Sequence, residues 1–302
     1  MDVFNIHSYL FCNNEQPVFM KCFLFFFCSF FSFFSIAQFD PSKEWFTLED
    51  FFDLQLIQNK SVKSITVYKS DKKDDEVFSA ETKFTAYFFS TKGELEESRK
   101  FVSLSGRIDT SVYEYKYNRS KLISRTEIQG PFSFRYHYSW INDSSFQEIK
   151  IDNRTLDTNY VHRVEVRKEE GLKKKYTYYN SVGRPMKTQW VTTNLLGKVI
   201  SKKESYARSA SFVVDSFTYE VNQLIHRSKQ NTIGVNKKTT WEFTYQEDYL
   251  DFIKEMKDGK VIRKFAILYN DLQLIKSIIQ RDVSEKTISV YKVEYEYYTT
   301  QR

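Results

Sequence analysis

Beyond residue 28 the chain contains no cysteine, because its three, Cys12, Cys22 and Cys28, all precede that point. A disulfide framework and a Cys-ligated zinc site are therefore excluded for everything downstream. Proline and glycine are scarce, four and eight in 302 residues, which excludes a collagen-like or linker-rich chain. No glycine-rich phosphate loop and no Gly-x-Ser-x-Gly elbow occurs. Charge of neither sign is gathered into a block: 45 basic and 39 acidic residues are mixed along the chain, for a net +6. That mixture describes a solvated surface and not a nucleic-acid groove. Even the densest cluster, Lys173-Lys174-Lys175, follows Glu169-Glu170.

Near the N-terminus, Met20-Lys21 is followed by a phenylalanine-rich apolar run, Cys22 to Ile36, and then by Ala37-Gln38. One positive charge, a short greasy stretch and the small residues Ser35 and Ala37 predict a secretory signal peptide cleaved after Ala37. The run is shorter than the ~20 residues of a transmembrane anchor and lacks a basic flank on its far side. Residues 1–19 carry no feature of a signal sequence, so Met20 is the better start. Cys28 follows Phe25-Phe26-Phe27 and lacks the small neighbours of a lipidation site. The expected organisation is an N-terminal extension and signal peptide over 1–37 and one undivided domain over 38–302.

Residues 41–57 predict a short helix: Thr47 and Asp50 form a capping-box pattern, and Leu48, Phe51 and Phe52 recur at helical spacing. A strand is the other reading, because Asp53-Leu-Gln-Leu-Ile57 recurs at Asp271 to Ile275. Beyond about residue 62 the period becomes two. In Tyr113-Glu-Tyr-Lys-Tyr117, Phe132-Ser-Phe-Arg-Tyr-His-Tyr138, Trp241-Glu-Phe-Thr-Tyr245 and Tyr291-Lys-Val-Glu-Tyr-Glu-Tyr297, aromatics take one face and polar or charged residues the other. This predicts an all-β fold, an antiparallel meander forming a large twisted sheet with one dry and one wet face.

The alternating segments also repeat. Tyr117, Tyr219 and Tyr269 are each followed at +5 and +6 by Leu-Ile, the leucines being Leu122, Leu224 and Leu274. Phe89 and Tyr179 are followed at +4 by Gly93 and Gly183, natural turn residues. With Phe89, Tyr117, Tyr138, Tyr160, Tyr179, Tyr219, Tyr245, Tyr269 and Tyr297 as strand ends, the unit is one β-hairpin. A further turn is required near Asn194-Leu-Leu-Gly197-Lys.

Tyr176-Thr-Tyr-Tyr179-Asn180-Ser-Val-Gly183-Arg184 resembles the YD repeat of Rhs-type proteins, with Asn180 where that family has Asp. Phe89 to Leu95 is similar to MORN-like repeats. The resemblance covers a small part of the chain and implies a hairpin-repeat sheet; the toxin-enclosing shell of Rhs proteins needs a far longer chain and is not implied. The Ala37-Gln38 junction and the Lys-, Asn-, Phe- and Tyr-rich body resemble exported proteins of Bacteroidota.

The exported part has three histidines, His137, His162 and His226, none with a second histidine or a carboxylate at ligand spacing. The acidic pairs Asp74-Asp75, Glu96-Glu97 and Glu169-Glu170 lie beside lysines in turn-like stretches. No catalytic residue, metal site or cofactor is expected. The tryptophans Trp140, Trp190 and Trp241 are the candidates for surface binding, although an aromatic stripe of period two is first of all the dry face of a sheet. The expected function is that of an exported non-enzymatic repeat protein, a scaffold or binding surface for an envelope protein, glycan or lipid. The alternatives are an outer-membrane β-barrel and a periplasmic carrier of an apolar ligand.

Overall fold

A computed structural model describes residues 54–299 apart from 105–106, 120, 143–144, 222 and 233–236. They belong to one compact unit, Ala37–Arg302. The signal-peptide region, the expected cleavage point and most of the helical candidate lie outside them.

A short helix, α1 (Leu54–Asn59), leads into β1 (Val62–Lys73), β2 (Thr82–Phe89), β3 (Leu95–Leu104), β4 (Arg107–Asn118), β5 (Lys121–Gln129) and β6 (Phe132–Trp140). The chain continues through β7 (Phe146–Asp152), β8 (Thr158–Lys168), β9 (Lys173–Tyr179), β10 (Pro185–Thr193), β11 (Val199–Tyr206) and β12 (Phe212–Glu220). It ends with β13 (Gln223–Asn231), β14 (Lys237–Gln246), β15 (Tyr249–Lys257), β16 (Lys260–Tyr269), β17 (Ile275–Asp282) and β18 (Thr287–Tyr297).

Every strand pairs antiparallel with the next in sequence, from β1 with β2 to β17 with β18. Then β18 returns to β1, from Val62 opposite Tyr297 to Lys73 opposite Thr287. The all-β meander expected from the alternation is thus closed into a barrel, which leaves no unpaired edge strand among the described residues. Side chains lock the seam: Ser64 Oγ donates to Glu296 at 3.0 Å, Ser289 Oγ to Asp71 at 2.5 Å and Arg281 to Asp74 at 2.8 Å.

One rim carries α1, since Gln58 lies against Gly93 in the β2–β3 turn. On the strands running toward this helix rim the ladder slips near the last inward residue, before Phe89 in β2, Tyr117 in β4, Thr193 in β10, Tyr219 in β12, Tyr245 in β14 and Tyr269 in β16. A recurring hydrogen bond accompanies the slip. Tyr219 donates to the Val199 carbonyl at 2.9 Å, Tyr245 to Leu224 at 3.1 Å, Tyr269 to Leu250 at 2.9 Å and Tyr295 to Ile275 at 2.7 Å. Trp140 takes the same part in β6, its Nε1 donating to Leu122 at 2.7 Å.

The repeat is therefore geometric. Tyr117 pairs with Leu122 and Tyr219 with Leu224, as the spacing predicts, but Tyr269 pairs with Ile275 and not with Leu274. The turn before β17 is longer, built on Asn270, whose Oδ1 accepts the amides of Leu272 and Leu274, each at 3.0 Å. Asn180 and Asn194 build the same turn, and the latter is the connection expected at Asn194 to Lys198. Other expected strand ends shift. Trp140, not Tyr138, closes β6, and Tyr160 lies near the start of β8, whereas Tyr179 and Tyr297 end β9 and β18 as expected, Tyr179 at the opposite rim and with Tyr295 making the ladder bond in β18. Spacing along the sequence carries neither strand direction nor the slips, so these positions were not separable by counting.

Ile57, Val62, Phe89, Phe243, Ile253, Ile267, Ile275 and Ile278 belong to one buried apolar cluster toward the helix rim. Most of its members come from β12–β18, β1 and β2.

Candidate ligand wall inside the barrel

Closure gives the sheet an inner and an outer face, and period two assigns residues to them. Side chains crowd on the concave side, so the buried set, including Ile253, Ile267, Trp241 and Phe243, faces inward. The neighbouring residues face out. On the outer wall, His226, Glu242, Lys254, Lys264 and Arg281 pair in succession across β13–β17, the first four mid-strand and Arg281 near the end of β17. Lys254 Nζ reaches Glu242 at 3.0 Å. On β18 the outward set includes Lys292, Glu294 and Glu296, opposite Tyr68, Thr66 and Ser64 of β1.

Eighteen strands about 4.8 Å apart make a ring whose round form is roughly 27 Å across, whereas two sheets packed face to face stand about 10 Å apart. Inward side chains cannot fill such a ring if it is round, and the burial divides the inner wall into two arcs. Along β12–β18 and on to β2 it is drier and buries some of its charges: Arg227 is 1% exposed, and Glu255, buried, pairs with the partly exposed Arg263 at 2.8 Å.

Along β4–β7 the inner wall is chemically different and, apart from buried Ser111 and Tyr136, partly exposed. One row across these strands reads Tyr115, Arg125, Tyr136, Lys150, and the next reads Tyr113, Glu127, Phe134, Asp152. Cations thus alternate with aromatic rings. The Arg125 guanidinium stands 4.1 Å from the Tyr136 ring centre and Lys150 Nζ 3.9 Å from that of Phe134. Tyr136 donates to Glu127 at 3.0 Å. Partial burial opposes the Arg125 charge, yet Tyr138, Tyr136 and Glu148 around it outweigh that and raise its pKa. Burial, assisted by Glu127, raises the Tyr113 phenol, and burial with the nearby Glu148 raises that of Tyr138. Both phenols stay protonated at neutral pH and keep their O–H as a donor.

The three tryptophans do not form one surface. Trp241 is a buried inner residue with Arg227 4.9 Å from its ring, so it is unavailable as a surface binder. Trp140 closes β6 on the inner wall, 5.1 Å from the Phe146 ring. Trp190 faces outward on β10, opposite Lys175 and Lys203. The histidines are likewise dispersed: His162 is paired with inward Glu148, whereas His137 and His226 belong to the outer wall of β6 and β13. Among the described residues no three His, Cys, Asp or Glu side chains group as metal ligands. A rim pocket of about 320 Å³ lies between the turns after β14 and β16, bounded by Glu247, Tyr249, Asp251 and Tyr269. The tyrosine–cation rows were missed by sequence reasoning; the alternation Tyr-Glu-Tyr-Lys-Tyr was visible, but the partners from β5 and β7 are supplied by register.

No family model matches the chain, and no curated protein matches it. Among solved structures it is similar to a porin-like protein from Bacteroides uniformis, at 7% identity and a TM-score of 0.40 over 78% of this chain and 98% of that one. A porin-like protein from Bacteroides vulgatus matches at 8% identity and a TM-score of 0.32 over 78% and 99%. A LolA superfamily protein from Nitrosomonas europaea matches at 8% identity and a TM-score of 0.20 over 82% and 92%. Likeness of this size carries no argument, and the barrel rests on the strand register.

Proposed function

We propose that the chain is an exported, non-enzymatic binding protein of the cell envelope that holds a glycan against the inner wall of β4–β7. The observation that carries this is the half-exposed pair of rows in which Tyr115, Tyr113 and Phe134 alternate with Arg125, Glu127 and Lys150. Sugar rings offer C–H faces to aromatic side chains and hydroxyls to charged ones. An acyl chain laid along the same wall would take water from Arg125, Glu127, Glu148 and Lys150 and offer them no polar group in return. The wall therefore favours a glycan over the apolar ligand of a lipid carrier.

An outer-membrane barrel is the second reading, favoured by the closed next-neighbour meander. The outer wall weighs for the soluble barrel. Cations near the bilayer midplane cost about 2–4 kcal/mol each, so Lys254 and Lys264 alone would cost roughly 4–8 kcal/mol.

The test is calorimetric titration of the chain from residue 38, purified without detergent, with maltohexaose and chitohexaose. Saturable binding that weakens at least tenfold in Tyr138→Ala and Lys150→Ala is expected. Binding of a fluorescent fatty acid with no oligosaccharide binding would restore the lipid carrier. A chain that stays in solution only with detergent would move the assignment to the membrane barrel.

A further inference from the structure

The helix rim carries an apolar tip beside a basic wall, and neither feature is used by the lumen. Leu195 and Leu196 stand at the end of the β10–β11 turn, 93% and 70% exposed. Leu172, in the β8–β9 turn, is 46% exposed, and its carbonyl accepts the Thr193 amide at 3.1 Å, which holds the two turns side by side. Asn194 Oδ1 accepts the amides of Leu196 and Lys198, each at 3.0 Å, so the tip is presented on a built turn.

On the adjoining outer wall, Arg167, Lys175, Trp190 and Lys203 form one row across β8–β11. Lys175 Nζ lies 5.8 Å from the Trp190 ring centre. Lys173 flanks the same turn on this face, so that Arg167, Lys173, Lys175 and Lys203 share the outer wall, whereas Lys168 and Lys174 pair on the inner face. Glu169 is engaged by Lys173 at 3.0 Å and Glu165 by Arg163 at 3.2 Å.

We infer that these two turns dock the barrel on an anionic lipid surface. Adjacent aliphatic side chains that no protein group covers suit the acyl boundary, an indole beside them suits the headgroup level, and the surrounding cations meet lipid phosphates. The barrel then rests on the membrane by one edge of its helix rim, with its charged wall in water. This placement does not depend on what the lumen holds.

Sedimentation with vesicles tests it. The chain from residue 38 is mixed with phosphatidylglycerol–phosphatidylcholine vesicles or with phosphatidylcholine alone, at 50 mM and 500 mM salt. Binding to the anionic vesicles at least tenfold stronger than to the neutral ones, and released by salt, is expected. The double variant Leu195→Asp/Leu196→Asp should lose at least tenfold in affinity, and Lys175→Glu/Lys203→Glu should lose the preference for anionic lipid. All these side chains lie at a turn tip or on the outer wall, and thermal melting of each variant checks that the fold is kept. Failure of the wild type to sediment with either vesicle, equal binding by the leucine variant, or attachment that resists both salt and carbonate would each overturn the proposal.

Discussion

Arg227 and Asp215 meet diagonally across β12 and β13 on the inner wall, joined by two parallel hydrogen bonds, Nε to Oδ1 at 2.9 Å and a terminal nitrogen to Oδ2 at 2.5 Å. The guanidinium is also sandwiched, 5.3 Å from the Phe217 ring centre and 4.9 Å from that of Trp241. Asp215→Ala would leave a buried cation without its counter-charge and should cost about 3–5 kcal/mol. Asp215→Leu combined with Arg227→Met should cost less, because the buried guanidinium leaves together with its counter-charge and only Lys202 and Lys229 opposite Asp215 lose a nearby carboxylate. Chemical denaturation of the two variants checks this, and equal losses would show that the pair does not act as a unit.

The register makes Leu224 and Ile225 unequal although they are adjacent. Leu224 is buried opposite Tyr219, while Ile225 is the extra residue of the slip and only half-buried. Leu224→Asp places a carboxylate in the dry cluster and should cost several kcal/mol, whereas Ile225→Asp should cost under about 1 kcal/mol. A larger loss at Ile225 would mean that the outer wall is covered there.

The tyrosines of the helix rim predict alkaline unfolding. Burial pushes Tyr245 and Tyr117 up to about 12, and burial likewise raises Tyr269 and Tyr295. Unfolded tyrosines ionise near pH ~10. Between those values the unfolded chain releases protons that the native one retains, so stability is fully present below about pH 10 and declines toward pH 12. Tyr245 alone should account for roughly 2 kcal/mol of the loss. Tyrosinate absorbance should rise together with loss of the β-sheet circular dichroism signal, and Tyr245→Phe should shift that transition.

With few glycines available, left-handed turn positions fall to other residues. Val221 holds φ 42° in the two-residue turn between β12 and β13 and is 90% exposed. A β-branched side chain is strained there. Val221→Gly or Val221→Asn should raise stability by about 1 kcal/mol, read as an increase in Tm. A fall in Tm would show that the exposed methyl groups are engaged.

The alternation was legible because it is local: a pleated strand puts successive side chains on opposite faces, so Tyr113-Glu-Tyr-Lys-Tyr117 announces its dry and wet sides without reference to any other strand. Turn residues were legible for the same reason, Asn180 and Asn194 accepting amides within four positions of themselves and Gly183 taking φ 73°. Closure was not, since the ladder between residues 62–73 and 287–297 joins segments that carry no local mark of one another. The candidate wall was hidden likewise, because Arg125 and Lys150 become neighbours of Tyr136 only through the register of three strands. The pentapeptide Asp-Leu-Gln-Leu-Ile draws the line most sharply. At its first occurrence Leu54 to Ile57 are helical, and at its second Gln273 turns with φ 66° and Ile275 begins a strand. Ile57 and Ile275 nevertheless enter the same buried cluster. The amphipathic composition of those residues determined that they would be buried; the surrounding barrel decided as helix or as strand, because a short segment's own propensity is weaker than the packing that surrounds it.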